Sequence, residues 1–350
     1  MSFSYPSFIS DTNILDQAFN RIVKALRTRD AHLLFGAGMS ESSGVPIGIG
    51  FIKKLLRKFF PSSSVSPPND KQLEELSKAY PLECVAQAVE GMPGLGRPDL
   101  TAVLKSIFID TEYPLSSAHD DFESVCLWGG TPRFYSVFTT NFDMLLEKKL
   151  GARLAVTITE KNAKDIKKHN QQGKICVIHL HGALEEEDYK ITEADLYDKT
   201  YSVLNSEFQS ALTTSDAFVF VGYSLDDPDF RDMYMRFRTE ILDRKRVNRS
   251  TYVVSPADNG YHYEIGKAVW DARGAVWIPL RADAFFARLK SIMDSQLRED
   301  VYKDAMKKHG YKDEEAFKVF VKKFAELFRV DFEDAVMLLS GISKPSGGGP

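Results

Sequence analysis

The chain has 350 residues, of which 43% are hydrophobic and 27% charged, and its formal net charge is −4 at pH 7. This composition is normal for a globular protein and excludes intrinsic disorder of the whole chain. The near balance of charges argues against a dedicated DNA-binding module, whose surface would be strongly basic, so direct binding to nucleic acid is not expected.

The cysteines and the first residues bear on metal sites and targeting. Cys84, Cys126 and Cys176 are widely spaced and form no CxxC pair. A structural zinc site needs about four Cys or His ligands in paired spacing, so no metal is expected. The first residues lack the basic start and apolar core of a signal peptide, and no run of about 18 apolar residues predicts a membrane span. We therefore expect a soluble, cytoplasmic protein that does not contact membranes.

Short apolar runs alternate with amphipathic stretches along the chain. The runs that predict strands are His32–Phe35, Phe134–Thr139, Leu154–Thr159, Ile175–Leu180, Ala217–Val221, Thr251–Val254 and Ala275–Leu280. Several of them are continuously apolar, which is the pattern of strands buried on both faces of a parallel sheet. Helices are predicted between them, and Asn141–Leu150 and Asp229–Leu242 open with N-cap residue types. The predicted fold class is α/β, a Rossmann-like doubly wound parallel sheet that takes its ligand at the carboxyl ends of the strands.

Two regions interrupt the alternation. Residues from about 50 to 130 contain helical runs but no convincing strand, and they predict a small helical insertion. Residues 285–340 again read as helical, and residues 341–350 as a disordered tail rich in Gly and Pro. Residues 1–30 predict a helical lead-in, which leaves 31–284 for the ligand-binding domain.

Apolar residues recur at helical spacing in the C-terminal segment. They are Phe317, Phe320, Val321, Phe324, Leu327 and Phe328. Two interpretations stay open for this stripe: it packs on the chain's own core, or it forms an assembly interface.

Glycine-rich or polar clusters follow four of the predicted strands, within Phe35–Pro46, Thr139–Asp143, Ile178–Ala183 and Val221–Pro228. Glycines after a strand let backbone N–H groups reach a phosphate, so a Cβ on these glycines is expected to intrude on the ligand. The first cluster is not the dehydrogenase fingerprint, because Glu41 stands where its third glycine belongs, and it is not a P-loop. Alone it is also compatible with a plain tight turn, but the coincidence of four clusters favours a ligand site.

In chain order the clusters read Gly36-Ala37-Gly38-x-Ser40-x-x-Ser43-Gly44-Val45-Pro46, then Thr140-Asn141-Phe142-Asp143, His181-Gly182 and Gly222-Tyr223-Ser224. This set resembles the sirtuin superfamily and, more closely, its bacterial sirtuin-like NAD hydrolases of anti-phage defence. The resemblance spans roughly residues 30–280. It implies that NAD lies between a Rossmann-type sheet and a small helical domain, so 31–284 is expected to be a sirtuin-like NAD-binding catalytic domain.

The resemblance also implies roles for matching residues. The implied nucleotide-binding set is Gly36, Ala37, Gly38, Ser40, Thr140, Gly222, Ser224 and Ser255. The implied catalytic set is Asn141, Asp143 and His181, and His179 is expected to face the same way but to lie deeper. The chain departs from deacylating sirtuins because no cysteine occurs between His181 and Ala217, where those enzymes carry a four-cysteine zinc module. This puts an acyl-lysine groove in doubt but not the cleavage of NAD.

The expected reaction splits the nicotinamide–ribose bond of NAD and yields nicotinamide and ADP-ribose or a cyclised form. Such a reaction needs an oriented amide, a nearby carboxylate and a base near the ribose hydroxyls, which are the roles of Asn141, Asp143 and His181. The alternatives are an NAD-dependent protein deacylase or ADP-ribosyltransferase, and a non-catalytic sensor of NAD or ADP-ribose.

The resemblance implies regulation as well, because an unregulated NAD hydrolase would poison its own cell. A homo-oligomer is expected, or a regulatory partner such as an ATPase or nucleotide-processing protein of the same defence system.

Overall fold

A computed structural model describes residues 5–9, 11–60, 67–196, 202–223, 239, 241 and 250–341. The chain divides into two compact units, Met1–Leu289 and Lys290–Pro350. Ser224, most of the helix expected at Asp229–Leu242 and the tail after residue 341 lie outside the described residues.

The first unit is built on a seven-stranded parallel sheet with flanking helices, which confirms the predicted Rossmann-like fold class. The strands are β1 (Ala31–Phe35), β2 (Ser136–Thr139), β3 (Ala155–Ile158), β4 (Ile175–His179), β5 (Gly182–Ala183), β6 (Asp188–Tyr189), β7 (Ala217–Val221), β8 (Ser250–Val254) and β9 (Val276–Ile278). The sheet order is β3-β4-β2-β1-β7-β8-β9, and β5 and β6 form a separate antiparallel hairpin. All seven strands expected from the sequence are therefore present in the sheet.

The middle of the sheet explains why the continuous apolar runs are strands. All five residues of β7 are buried, and β7 pairs with β1 on one side and β8 on the other. Apolar side chains on both faces lose their contact with water, and both backbone edges are hydrogen-bonded. The chain continues from β1 to its neighbour β2 and from β7 to its neighbour β8, which lie in opposite directions along the sheet. The topological switch point therefore lies between β1 and β7.

The helices of the first unit are α1 (Thr12–Thr28), α2 (Gly48–Phe59), α3 (Asp70–Ala79), α4 (Leu82–Glu90), α5 (Arg97–Phe108), α6 (Ser117–Cys126), α7 (Leu145–Leu154), α8 (Ile166–Gln171), α9 (Glu193–Leu196), α10 (Val203–Thr214) and α11 (Gly260–Ala272). Helices α2 to α6 fill the connection between β1 and β2, whose described residues contain no strand. The apolar core of this insertion includes Phe142, Leu184 and Tyr189, which follow β2 and β4. The insertion thus packs on the segments that carry the predicted catalytic residues.

The helix expected at Asn141–Leu150 begins later, at Leu145. Asn141 is not its N-cap, because its side chain is hydrogen-bonded to the loop after β1. The first turn instead receives Asp143, whose Oδ1 accepts a hydrogen bond from the Leu145 N–H at 3.2 Å. A tertiary contact here overrides the local capping preference.

The C-terminal helices are α12 (Ala282–Lys308), α13 (Glu314–Phe328) and α14 (Phe332–Ser340). In the second unit, Phe317 and Val321 are fully buried against residues such as Ala335. Phe320 and Phe324 are half-buried, whereas Leu327 and Phe328 are exposed by 78% and 56%. The apolar stripe therefore consists of a buried part and an exposed part. For the buried residues, packing on the chain's own core is the correct interpretation.

None of the described helices is both long enough and apolar enough to cross a membrane.

The loops after β1 and β7 touch through their backbones at the switch point. The Gly38 N–H donates to the Gly222 carbonyl at 3.1 Å, and the Gly36 N–H donates to the Val221 carbonyl at 2.9 Å. A Cβ added to Gly38 would lie 2.8 Å from the Gly222 Cα, and one added to Gly36 would lie 2.8 Å from the Tyr223 ring. The sequence predicts that a Cβ at these glycines would intrude on a ligand. The structure gives another reason, because a side chain there would collide with the neighbouring loop.

Gly222 and Gly44 provide a matched test of this contact. Both have φ of +81°, but a Cβ at Gly222 would lie 2.6 Å from the Met39 nitrogen, whereas no atom of the described residues lies within 4 Å of one at Gly44. We expect Gly44→Ala to lower the free energy of unfolding by about 1 kcal/mol through backbone strain alone. Gly222→Ala adds overpacking and should lower it by about 3 kcal/mol or more. Urea denaturation of both variants measures the difference, and equal losses would contradict the close contact.

Candidate active site

A cleft of about 730 Å³ opens between the carboxyl edge of the sheet and the helical insertion. The sheet side contributes Ala37, Thr140, Asn141, Asp143 and His181. The insertion side is mainly apolar and includes Ile49, Phe51, Ile52, Leu82 and Phe108. A cavity of this size with a few convergent polar groups suits a small-molecule ligand.

Asn141 is held in one orientation by the loop after β1. Its Nδ2 donates to the Gly36 carbonyl at 3.2 Å and to the Ser40 hydroxyl at 3.3 Å. Because a carbonyl oxygen can only accept, the NH₂ group must face Gly36, and the amide oxygen turns away from it. That oxygen accepts no hydrogen bond from the described residues. Asn141 therefore brings a pre-oriented acceptor to the wall of the cleft.

Asp143 is a buried carboxyl group, with 6% of its surface exposed. Burial raises the pKa of Asp143, and hydrogen bonds from the Ser40 hydroxyl and the Leu145 N–H offset only part of this, so the pKa stays above its ordinary value. Ser40 is itself buried and contacts both Asn141 and Asp143. One serine thus supports two of the predicted catalytic residues.

His181 follows β4 and reaches the cleft, whereas His179 is buried, as the sequence predicts. The backbone of His181 is fixed by the β5–β6 hairpin, because the Lys190 N–H donates to the His181 carbonyl at 2.8 Å. Gly182 has φ of +76°, and a Cβ there would lie 1.8 Å from the Asp188 carbonyl oxygen. The hairpin therefore requires the glycine that follows His181.

The β5–β6 hairpin and the segment that follows it both contact α5 of the insertion. The Thr101 and Tyr189 hydroxyls are 2.6 Å apart and buried. The Arg97 guanidinium pairs with Asp195 at 2.6 Å and lies over the Tyr189 ring, 5.1 Å from its centroid. These contacts join one wall of the cleft to the hairpin that positions His181.

The other predicted nucleotide contacts that fall within the described residues do not line the cleft. Gly36, Gly38 and Gly222 lie at the switch point, and Ser40 lies behind Asn141. Ser255, after β8, accepts hydrogen bonds from the Trp277 indole N–H through its carbonyl and its hydroxyl, at 2.9 and 3.0 Å. The cleft thus gathers only the predicted residues nearest to Asn141 and His181.

Sequence reasoning missed two residues beside the site. The Tyr223 hydroxyl lies 2.8 Å from the Thr140 hydroxyl and donates to the Phe35 carbonyl, so it links the carboxyl ends of β1, β2 and β7. Its position inside the Gly222-Tyr223-Ser224 motif was the available signal. Lys190 lines the cleft next to His181 but belongs to no motif.

Among the residues that the structure describes, no group of three or more His, Cys, Asp or Glu side chains is placed to hold a metal ion. The cysteines make other contacts: Cys84 donates to the Glu193 carboxylate, and Cys176 contacts the Asn170 side chain.

Gly182→Ala tests the hairpin. We expect the added Cβ to displace Asp188 and so weaken the bond between the Lys190 N–H and the His181 carbonyl. The Lys190 amide should then exchange its hydrogen about tenfold faster, the equivalent of ~1.4 kcal/mol of lost protection. Hydrogen–deuterium exchange measures this rate. Gly173→Ala is the control, because Gly173 also has positive φ, +74°, but has open space. Unchanged exchange at Lys190 in Gly182→Ala would contradict the role of the glycine.

Comparisons with known proteins agree with the motifs. Residues 135–278 match the family model of the SIR2-like domain. The NAD(+) hydrolase ThsA of Acinetobacter baumannii is 26% identical over 245 residues, which cover 67% of this chain and 46% of that protein. The protein of the same name from Enterococcus faecium is 23% identical over 230 residues, 65% of this chain and 44% of that protein. A solved structure of a Sir2 enzyme aligns over 79% of this chain and 99% of its own, with 14% identity and a TM-score of 0.41.

The matches confirm the resemblance to sirtuin-like NAD hydrolases. The SIR2-like match contains Asn141, Asp143 and His181 and leaves the glycine turn after β1 outside it. The chain spans less than half the length of these two curated relatives.

Proposed function

We propose that this chain hydrolyses NAD at the nicotinamide–ribose bond and releases nicotinamide and ADP-ribose, or a cyclised form of it. The observation that carries the proposal is the meeting of Asn141, Asp143 and His181 in one cleft at the carboxyl edge of the sheet. The SIR2-like match and the similarity to proteins named NAD(+) hydrolase support the same substrate.

In the proposed reaction, the bond between the ribose C1′ and the nicotinamide nitrogen breaks, and its electron pair leaves with neutral nicotinamide. Positive charge develops on the ribose, where the Asp143 carboxylate stabilises it and the Asn141 amide oxygen orients the reacting groups. Water attacks C1′, and His181 accepts a proton near the ribose hydroxyls. A deacylase or ADP-ribosyltransferase would direct another nucleophile into the same cleft, and a sensor would bind NAD without turnover.

His181→Ala tests the proposal directly. We expect nicotinamide release to fall by at least about 100-fold, the usual loss when a general base is removed. Nicotinamide is quantified by chromatography after incubation with NAD, with and without an acyl-lysine peptide, and the melting temperature reports the fold. Ser42→Ala is the control, because Ser42 is exposed and should leave the rate unchanged. A folded His181→Ala variant with full activity would overturn the assignment, and turnover only with peptide would support a deacylase.

Ser40→Ala tests how Asp143 is kept ionised. Loss of the Ser40 hydrogen bond should raise the pKa of Asp143 further. Activity needs the carboxylate, so the acid limb of the kcat profile should move to higher pH. A hydrogen bond to a charged group is worth ~1.5–3 kcal/mol, so the movement should be about one pH unit or more. Ser43→Ala is the matched control, because the buried Ser43 hydroxyl has no hydrogen-bond partner among the described residues. An unmoved limb in active Ser40→Ala would contradict this role of Ser40.

The proposal extends to biological context, as an effector that depletes NAD in anti-phage defence. NAD cleavage by such an enzyme must be kept inactive in the healthy cell. We therefore also propose a homo-oligomer or a regulatory partner, such as an ATPase or nucleotide-processing protein. The exposed Leu327 and Phe328 of the second unit are compatible with a protein contact. The cytoplasmic location stays a prediction.

A further inference from the structure

The buried His179 contacts two hydrogen-bond acceptors at once. Its Nδ1 lies 3.2 Å from the Asn141 carbonyl oxygen, and its Nε2 lies 2.7 Å from the Glu147 Oε1. A neutral imidazole has one N–H, and it cannot donate to both a carbonyl and an ionised carboxylate. For both hydrogen bonds to form, the His179–Glu147 pair must hold one proton more than a neutral histidine and an ionised glutamate.

The surroundings of Glu147 favour this proton on the ring rather than on the carboxyl group. The Thr157 hydroxyl donates to Oε1 of Glu147 at 3.2 Å, as it would to a carboxylate. Oε2 of Glu147 is buried and makes no hydrogen bond with the described residues, so a proton there would have no acceptor. The arrangement is therefore an imidazolium paired with a carboxylate, with the pairing offsetting the cost of burying the charges.

The charges that face His179 act in the same direction. Burial alone would lower the pKa of His179, but Glu147 on α7, Asp143 in the loop after β2 and the Asn141 carbonyl together raise it above its ordinary value. The interaction is mutual, because the charge on His179 also lowers the pKa of Asp143. The ring thus lies between a buried carboxylate partner and one of the predicted catalytic groups.

We infer that His179 is a positioning residue: as an imidazolium held by Glu147, it anchors the Asn141 carbonyl and so sets the orientation of Asn141 and Asp143 in the cleft. Asn141 is then held at two points, by Gly36 and Ser40 at its side chain and by His179 at its backbone. The kinetic consequences rest on the proposed NAD cleavage, whereas the protonation of the ring does not.

The sign of the pH dependence follows from the raised pKa. The folded protein binds the extra proton more tightly than the unfolded chain does. The stabilisation is thus fully present below the ordinary imidazole pKa of about 6.5 and is lost as the pH rises through the higher folded value. Deprotonation breaks one of the two hydrogen bonds, so kcat should fall on the alkaline side.

Glu147→Gln separates geometry from charge. A glutamine amide can donate to Nε2 of a neutral His179 while the Nδ1 proton stays on the Asn141 carbonyl, so both hydrogen bonds form without the extra proton. We expect this variant to keep kcat at neutral pH within about threefold and to lose the alkaline limb. His179→Phe, which cannot donate, should lower kcat by about 10–100-fold with little change in KM. His262→Phe is the control, since the partly buried His262 on α11 contacts Asp258 and Trp277 and does not line the cleft.

NMR of the protein with ¹⁵N-labelled histidine and ¹³C-labelled asparagine reports the pair without any turnover. The expected result at pH 7, just above the ordinary imidazole pKa of about 6.5, is a His179 ring with protons on both nitrogens in the wild type and on Nδ1 alone in Glu147→Gln. The Asn141 carbonyl signal should shift in His179→Phe and stay in place in His262→Phe. A singly protonated wild-type ring would overturn the inference, as would a folded His179→Phe variant with an unmoved Asn141 signal. If the wild type fails to cleave NAD, the proposed function falls, but these signals still decide the inference.

Discussion

The site depends on one pair of hydrogen bonds, from the Asn141 amide to the Gly36 carbonyl and the Ser40 hydroxyl. They join the loop after β1 to the loop after β2, which are separated in sequence by the whole helical insertion. Without them, Asn141 would be free to cap α7, as its residue type favours. With them, the amide oxygen faces the cleft, Ser40 is placed against Asp143, and the insertion is closed at both ends by neighbouring strands.

Much of the fold was predictable because buried segments have a recognisable pattern of apolar residues. Strands such as β7 are apolar at every position, and no amphipathic helix has that pattern. Polar residues after strand ends were equally readable, since parallel strands bring their carboxyl ends to one edge. The predicted start of α7 was wrong because capping preferences depend on neighbouring residues, whereas the hydrogen-bond partners of Asn141 lie far away in the chain.

The relation between His179 and Glu147 was also beyond the sequence. His179 was expected to be deep, but nothing in its neighbourhood along the chain indicates a carboxylate partner on α7. The contacts of Gly36 and Gly38 could not be predicted from the sequence either. Gly36 and Gly38 follow a strand in the manner of a phosphate-binding turn, but their closest constraint is the backbone of another loop. Distances between loops are set by the packed sheet, and a single sequence does not contain them.

The contacts between α5 and the hairpin have a mechanical consequence. Arg97 and Thr101 hold Tyr189 and Asp195, and the same hairpin holds the backbone of His181. A displacement of α5 away from the sheet is therefore passed through these hydrogen bonds and the ion pair to the backbone of His181. The width of the cleft and the position of His181 are thus coupled, and any widening of the cleft at α5 also displaces the histidine.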